Sequence, residues 1–335
     1  MGRPLCERIA NATGVSSVVV HDADLETATT FAADLAASDI SCAVMYGSLA
    51  EAAGAVDVVV SCLPNSRIVS SVVNDAIAAS AELPLWIDAT SGDPAVSKAV
   101  AERLRTSIGA GFLDCAVSGG PAGAAAGTVT AMVGGDVAYF DSPAAQLIVN
   151  SFAQNIVHLG PCGAGHAVKA INNTLMALNV WSTAEGLLAL KEFGVEPAAA
   201  LDAINGSSGR SWATLQRFPD HIVPSRAFDY GFSLELLSKD VDTCLALVGA
   251  LRLARGATNE LGARGMESGA PAPWTPSGAA DDADATAILR ALGRHEAPLM
   301  AVGQALLHAS LAREGGDADH LEMVKTLETR IGFKV

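Results

Sequence analysis

The chain changes period once. Up to about residue 160, short β-branched runs alternate with helical stretches, and from Ala164 onward the pattern is helical alone. Strand candidates are Ser17–His21 (SVVVH), Ser41–Tyr46, Asp57–Leu63, Leu85–Ala89, Gly111–Ala116 and Thr128–Val133. Helix candidates between them are Pro4–Asn11, Leu25–Ala37, Ile68–Ala79 and Ala95–Ser107. Such alternation predicts an α/β fold with a mostly parallel sheet and right-handed crossovers. Asp57–Leu63 (DVVVSCL) reads as a strand buried on both faces. In sheets of this kind ligands sit beyond the carboxyl ends of the strands. Ala164–Phe193 then reads as one long helix ending at Gly194, followed by Pro197–Ile204, Trp212–Arg217, Leu234–Ala254 and Pro298–Glu314. The boundary is expected near 160–165, giving an α/β domain over 1–162 and an all-α domain over 163–335. A Gly/Pro/Ala/Ser/Asp-rich stretch within 255–295 reads as a flexible insertion, with a short helix near 285–292.

Composition narrows the possible functions. Half of the 335 residues are hydrophobic and 17% are charged, which excludes an intrinsically disordered chain. A net charge of -15 argues against a nucleic-acid partner and leaves room for a small anionic substrate at a local cationic site. No apolar run approaches the roughly 20 residues of a membrane helix, and no signal segment is visible, so a soluble intracellular protein without a membrane partner is expected. The six cysteines are scattered without a Cys-x-x-Cys pair and read as small buried thiols in a reducing compartment. The seven histidines show no ligand spacing, and no metal site is expected.

Several short segments carry chemistry. Asp22 follows a strand and suits either a ribose-hydroxyl acceptor, which would favour NAD over NADP, or a helix-capping turn. Leu63-Pro64 and Asp88-Ala89-Thr90-Ser91 end strands, where they either line a cofactor crevice or punctuate loops. In the run Val117–Thr128, Ser118, Gly119 and Gly120 expose a hydroxyl and backbone amides suited to a carboxylate. Lys169 and Asn173 are i and i+4 on the long helix and share a face. The neighbours Val168, Ala170 and Ile171 suggest a buried lysine, a setting that lowers its pKa and suits it to proton transfer. Lys239-Asp240 by itself reads as a surface charge pair. Met1-Gly2-Arg3-Pro4 reads as the tail of a Gly-x-Gly-x-x-Gly turn whose strand and first two glycines are absent. Weak NAD binding and unpaired neighbouring strands would follow.

Together LDCAVSGGPAGAAAGTVTAMVGG (Leu113–Gly135), GAGHAVKAINN (Gly163–Asn173), GRSW (Gly209–Trp212) and LLSKDVDTCLAL (Leu236–Leu247) resemble the β-hydroxyacid dehydrogenase family, above all its 3-hydroxyisobutyrate dehydrogenase branch. The resemblance runs from Met1 to about Arg255 and resumes near Ala297. It implies a Rossmann-like NAD-binding domain followed by an all-α substrate and dimerisation domain. It implies Lys169 as the catalytic lysine and Asn173 as its substrate-holding neighbour, with Ser118, Gly119 and Gly120 on the substrate carboxylate. It places Asp22, Leu63, Pro64, Ser91 and Lys239 at the cofactor. Ile68 departs from an asparagine of the closest relatives, and Ser91 from a threonine. The implied reaction is oxidation of 3-hydroxyisobutyrate, or a related small 3-hydroxy acid, to its semialdehyde by a homodimer or homotetramer. The implied setting is valine catabolism, in the mitochondrial matrix of a eukaryote and otherwise in the cytoplasm. A semialdehyde or glyoxylate reductase, and a non-catalytic family member, are the competing readings. 6-Phosphogluconate dehydrogenase has His-Asn after its lysine, where this chain has Asn172-Asn173.

Overall fold

The computed structural model describes residues 1–38, 40, 42–49, 56–79, 83–258, 298–331 and 334. The chain forms two compact units, Met1–Lys169 and Ala170–Val335. The boundary falls inside the long helix rather than before it.

The first unit opens with α1 (Gly2–Ala10), β1 (Ser17–Val20), α2 (Leu25–Ala36) and β2 (Ala43–Tyr46). It continues through β3 (Val58–Ser61), α3 (Ser66–Ala79), β4 (Leu85–Asp88), α4 (Pro94–Ile108) and β5 (Gly111–Ser118). Then come α5 (Gly120–Ala126), β6 (Val129–Gly135), α6 (Val137–Phe140), α7 (Pro143–Phe152) and β7 (Ala153–His158). Strands β3 to β7 form one sheet in sequence order, parallel except for the antiparallel β5–β6 pair. The period-2 geometry of a strand sends alternate residues to opposite faces. Leu85, Ile87, Leu113 and Cys115 enter one core with Leu5, Val129 and Phe152. Trp86 and Phe112 enter the other, with Val73, Val100 and Leu104.

Strands β1 and β2 form a separate parallel pair, packed beside Phe31 and Leu35 of α2. Among the described residues β1 pairs only with β2, and β3 only with β4. This corrects the expectation that the Asp57–Leu63 strand is buried on both faces. At the edge of its sheet, Val58, Val59 and Val60 are half-buried and only Ser61 is buried. The cysteines are likewise free but not uniformly buried: Cys42, Cys115 and Cys244 are buried, whereas Cys6, Cys62 and Cys162 are half-buried.

The long helix α8 (Ala164–Phe193) leaves the first unit at Lys169 and continues into the second. That unit contains α9 (Pro197–Asn205), a π-helix (Ala213–Ile222), α10 (Leu234–Thr258), α11 (Pro298–Glu314), a 3₁₀ turn (His320–Met323) and α12 (Val324–Ile331). Its core gathers Trp181, Leu187, Leu188, Phe218, Ile222, Leu237, Val241, Leu307 and Leu327. The helix read from the sequence at Trp212–Arg217 is a π-helix over Ala213–Ile222, with Trp212 at its N-cap and Pro219 inside it. Proline supplies no amide to an i→i−4 ladder, and local rewinding accommodates the gap. The insertion and the short helix expected near 285–292 lie mostly outside the described residues.

Candidate active site

Of the residues expected at the cofactor, Asp22, Leu63, Pro64 and Ser91 follow strand ends. Asp22 is exposed two residues after β1, and its Oδ1 accepts the Asp24 amide at 2.9 Å. Asp24 itself caps α2 through the Glu26 amide. The capping role therefore falls to Asp24, and Asp22 stands beside it as a second carboxylate. Leu63 and Pro64 follow β3, where Leu63 N–H donates to Thr90 Oγ1 at 3.0 Å. Thr90 lies after β4, one residue before Ser91. A buried network braces these turns from below. Ser61 Oγ donates to Asp88 Oδ1 (2.8 Å), Trp86 Nε1 donates to Ser61 Oγ (2.9 Å), and the Thr90 amide donates to Asp88 Oδ1 (3.1 Å). Hydrogen bonds thus tie the Leu63-Pro64 turn to the Thr90-Ser91 turn.

Strand β5 ends at Ser118, and two glycines turn the chain directly into α5. Gly119 has φ +143° and Gly120 has φ +68°, both in the region that favours glycine. A Cβ on Gly119 would also lie 3.1 Å from Val129 Cγ1. As the start of a helix, the Gly120 and Ala122 amides have no partner inside it, and Pro121 has no amide to satisfy. Ser118 is half-buried and Gly119 exposed, so hydroxyl and amides are reachable. This fits a small carboxylate.

Four residues earlier, β5 also seats α8. Buried Asp114 accepts the Gly163 amide at 2.7 Å on Oδ1 and the His166 amide at 3.0 Å on Oδ2. A carboxylate at a helix N-terminus satisfies orphan amides and complements the helix dipole. Burial, and then the Asp114 charge, push the neighbouring Cys162 thiol up to about 12. Gly165 lies flat on the sheet: a Cβ there would come within 2.2 Å of the Met132 carbonyl oxygen. Both glycines of Gly163-Ala164-Gly165 are therefore architectural, and they bring the first turns of α8 onto β5 and β6.

Lys169 is half-buried rather than buried. Val168 is 38% exposed and Ala170 only 2%. Sequence neighbours on a helix point about 100° apart, so apolar residues at i−1 and i+1 say little about the side chain between them. A half-buried amine keeps access to a substrate.

The remaining site residues lie in the second unit. Asn173 is buried, donates to Asp240 Oδ2 at 2.6 Å, and accepts the Asn172 side-chain amide at 3.2 Å. Lys239 Nζ lies 3.0 Å from Asp240 Oδ1. Asp240 is 2% exposed, which overturns its reading as half of a surface charge pair. The signal was present in the sequence: buried Leu237, Val241 and Cys244 mark one face of α10, and residue 240 shares it at i+3 from Leu237. Asp240 joins the amide of Asn173 to the ammonium of Lys239 and fixes the orientation of both.

The comparisons with known proteins identify the family. Residues 1–160 match the profile of the NAD binding domain of 6-phosphogluconate dehydrogenase. Residues 163–292 match that described as NAD-binding of NADP-dependent 3-hydroxyisobutyrate dehydrogenase. The chain is 33% identical over 228 residues to 2-(hydroxymethyl)glutarate dehydrogenase of Eubacterium barkeri, covering 66% of this chain and 74% of that one. It is 32% identical over 272 residues to a protein of Mycobacterium tuberculosis named "Probable 3-hydroxyisobutyrate dehydrogenase", covering 80% and 87%. A solved structure of M. tuberculosis 3-hydroxyisobutyrate dehydrogenase with L-serine superposes with a TM-score of 0.71 at 27% identity, over 98% of this chain and 95% of that one. Among the described residues no helix is long and apolar enough to cross a membrane. A Rossmann-like first unit, a helical second unit and relatives that are dehydrogenases lead to one conclusion: the chain belongs to the β-hydroxyacid dehydrogenase family, oxidoreductases that act on hydroxyl groups with a nicotinamide cofactor.

Proposed function

We propose that the chain oxidises 3-hydroxyisobutyrate, or a closely related small 3-hydroxy acid, to its semialdehyde with NAD. The observation that supports this most is the double use of β5. One strand ends in the Ser118–Gly120 carboxylate loop and, through Asp114, seats the helix that carries Lys169. A carboxylate anchor and a general base are thereby built on one rigid element.

In this reading Ser118, Gly119 and Gly120 hold the substrate carboxylate and aim its hydroxyl-bearing carbon. Lys169 Nζ takes the hydroxyl proton as the carbon–oxygen double bond forms, and returns it in the reverse direction. A bound NAD would supply the acceptor for the hydride released from that carbon. Asp22 would hold the adenosine ribose hydroxyls, Leu63, Pro64 and Ser91 the nicotinamide half, and Lys239 would reach the cofactor from the helical unit. Asn173, oriented by Asp240, would hydrogen-bond the reacting oxygen. The exposed Asp22 carboxylate, with Ala23 beside it in place of a cation, favours NAD over NADP.

The setting that goes with this chemistry is valine catabolism in an intracellular compartment, by a homodimer or homotetramer. Steady-state turnover of 3-hydroxyisobutyrate against shorter and longer 3-hydroxy acids tests the substrate, and light scattering tests the assembly. Turnover of glyoxylate with NADPH in preference to all of these would replace the reading with that of a reductase.

A further inference from the structure

The mechanism above leaves one fully buried imidazole in the first unit without a task. His166 lies on α8 one turn before Lys169, and none of it is exposed. Its Nδ1 is 2.7 Å from Ser97 Oγ on α4. Its Nε2 is buried and has no hydrogen-bond partner among the described residues. The Ser97 hydroxyl also lies 2.9 Å from the carbonyl oxygen of Asp93, the residue that caps α4. With the hydroxyl proton on that carbonyl, Ser97 Oγ accepts from Nδ1–H, and a donor chain runs from His166 through Ser97 to Asp93.

The ring has a second neighbour. A Cβ on Gly92 would come within 2.5 Å of His166 Cε1 and Nδ1, and within 2.9 Å of Ser66 Oγ. Ser66 Oγ in turn accepts the Asp93 amide at 2.7 Å. The turn Ser91-Gly92-Asp93 therefore rests on two side chains, Ser66 at the start of α3 and His166 at the start of α8. Any change in the tilt or bulk of the imidazole is transmitted to Ser91, because Gly92 has no slack above it.

We propose that His166 is a positioning residue. It sets the height of the Ser91-Gly92 turn over the first turns of α8, and with it the spacing between Ser91 at the cofactor and the Lys169 amine. This rests on the roles given to Ser91 and Lys169 above. Reacting groups must be held about 3–3.5 Å apart, and a misplacement of about 1 Å costs on the order of 10²-fold.

The test uses the full chain. Calorimetry gives NAD affinity, steady-state kinetics with 3-hydroxyisobutyrate gives kcat and KM, and circular dichroism checks folding. Gly92→Ala places a methyl group against the ring. It is expected to weaken NAD binding about tenfold and lower kcat about 10- to 100-fold, with KM for the hydroxy acid changed less than about threefold, since the carboxylate loop is elsewhere. Combining Gly92→Ala with His166→Ala vacates the space, and NAD affinity should return to within about threefold of His166→Ala alone. His166→Asn keeps a donor near the Nδ1 position and should hold kcat within about threefold, whereas His166→Leu fills the space without the bond and should lose about 10- to 100-fold.

An unchanged NAD affinity and kcat in Gly92→Ala would overturn the proposal. So would simple additivity of the Gly92 and His166 effects, or equal kcat for His166→Asn and His166→Leu. If Gly92→Ala does not fold, the Asn and Leu pair decides. If Lys169→Ala keeps full turnover while Gly92 and His166 remain coupled in NAD affinity, the role given to Lys169 fails, and what stands is the seating of the Ser91-Gly92 turn by His166.

Discussion

Asp22 and Asp24 illustrate how two adjacent carboxylates separate into different tasks. Asp24 takes the helix cap and a hydroxyl, with the Glu26 amide at 3.0 Å and Thr27 Oγ1 at 2.8 Å. Asp22 spends one oxygen on the Asp24 amide and remains exposed. A 2′-phosphate brought beside it would set like charges against each other. Asp22→Ala should therefore raise kcat/KM for NADP relative to NAD by about tenfold or more, a shift of about 1.4 kcal/mol. Parallel kinetics with both cofactors measure it, and an unchanged ratio would remove Asp22 from cofactor choice.

In the second unit His320 gives a second residue-scale prediction. It is wholly buried, edge-on to Tyr230 and Phe232, with Nδ1 3.3 Å from Asp319 Oδ1 and 3.2 Å from the Phe232 carbonyl oxygen. Burial lowers its pKa, against an opposing pull from Asp319. A histidine whose folded pKa is depressed contributes stability above its unfolded value of about 6.5, and this is lost as pH falls toward the folded value. The resistance of the native chain to urea unfolding should therefore weaken below about pH 6.5. His320→Gln should flatten that acid limb at some cost in stability at neutral pH. A limb of the same steepness in the variant would assign the loss elsewhere.

At the scale of elements, α8 depends on a docking that the sequence only half discloses. Its glycines and lysine stood out in Gly163–Asn173 because glycine and lysine are unusual at the start of an apolar helix. Asp114, which receives that helix, did not stand out. It lies about fifty positions upstream in an apolar strand, and only tertiary structure brings it to the Gly163 and His166 amides. Asp88 and Thr90 were legible as a strand end, but their brace to Ser61 comes only with the tertiary structure. Hydrogen bonds to a charged group are worth about 1.5–3 kcal/mol each. Asp114→Ala removes two and should destabilise the first unit by about 3–5 kcal/mol, with Asp114→Asn intermediate. Urea titration followed by circular dichroism checks this; a change below about 1 kcal/mol would mean the cap contributes little. Gly165→Ala should lower the melting temperature as well, because its methyl meets a backbone carbonyl that cannot rotate away. A melting temperature equal to that of the native chain would contradict the close approach.

For the molecule as a whole, periodicity carried the architecture. The switch from a strand–helix alternation to helix alone is a property of every residue in turn, so it survives local errors at element ends. Local exposure did not read out as well. The β3 valines look like a buried central strand but lie at a sheet edge, and the apolar neighbours of Lys169 do not bury it, because pairing partners and helix faces are set by distant residues. The roles proposed for the site residues come from motif order, which carries no information on what braces them.

The proposed function turns on the Lys169 amine, to which it gives the transfer of the substrate proton. The direct measurement is 3-hydroxyisobutyrate-dependent reduction of NAD, followed by absorbance, in the native chain and in Lys169→Ala. Circular dichroism checks that both fold, and calorimetry checks that both bind NAD alike. Removing a general acid–base should lower kcat by about 10²–10⁴-fold with NAD affinity unchanged. Turnover of the variant within a few-fold of the native rate, at equal NAD affinity, would contradict the account.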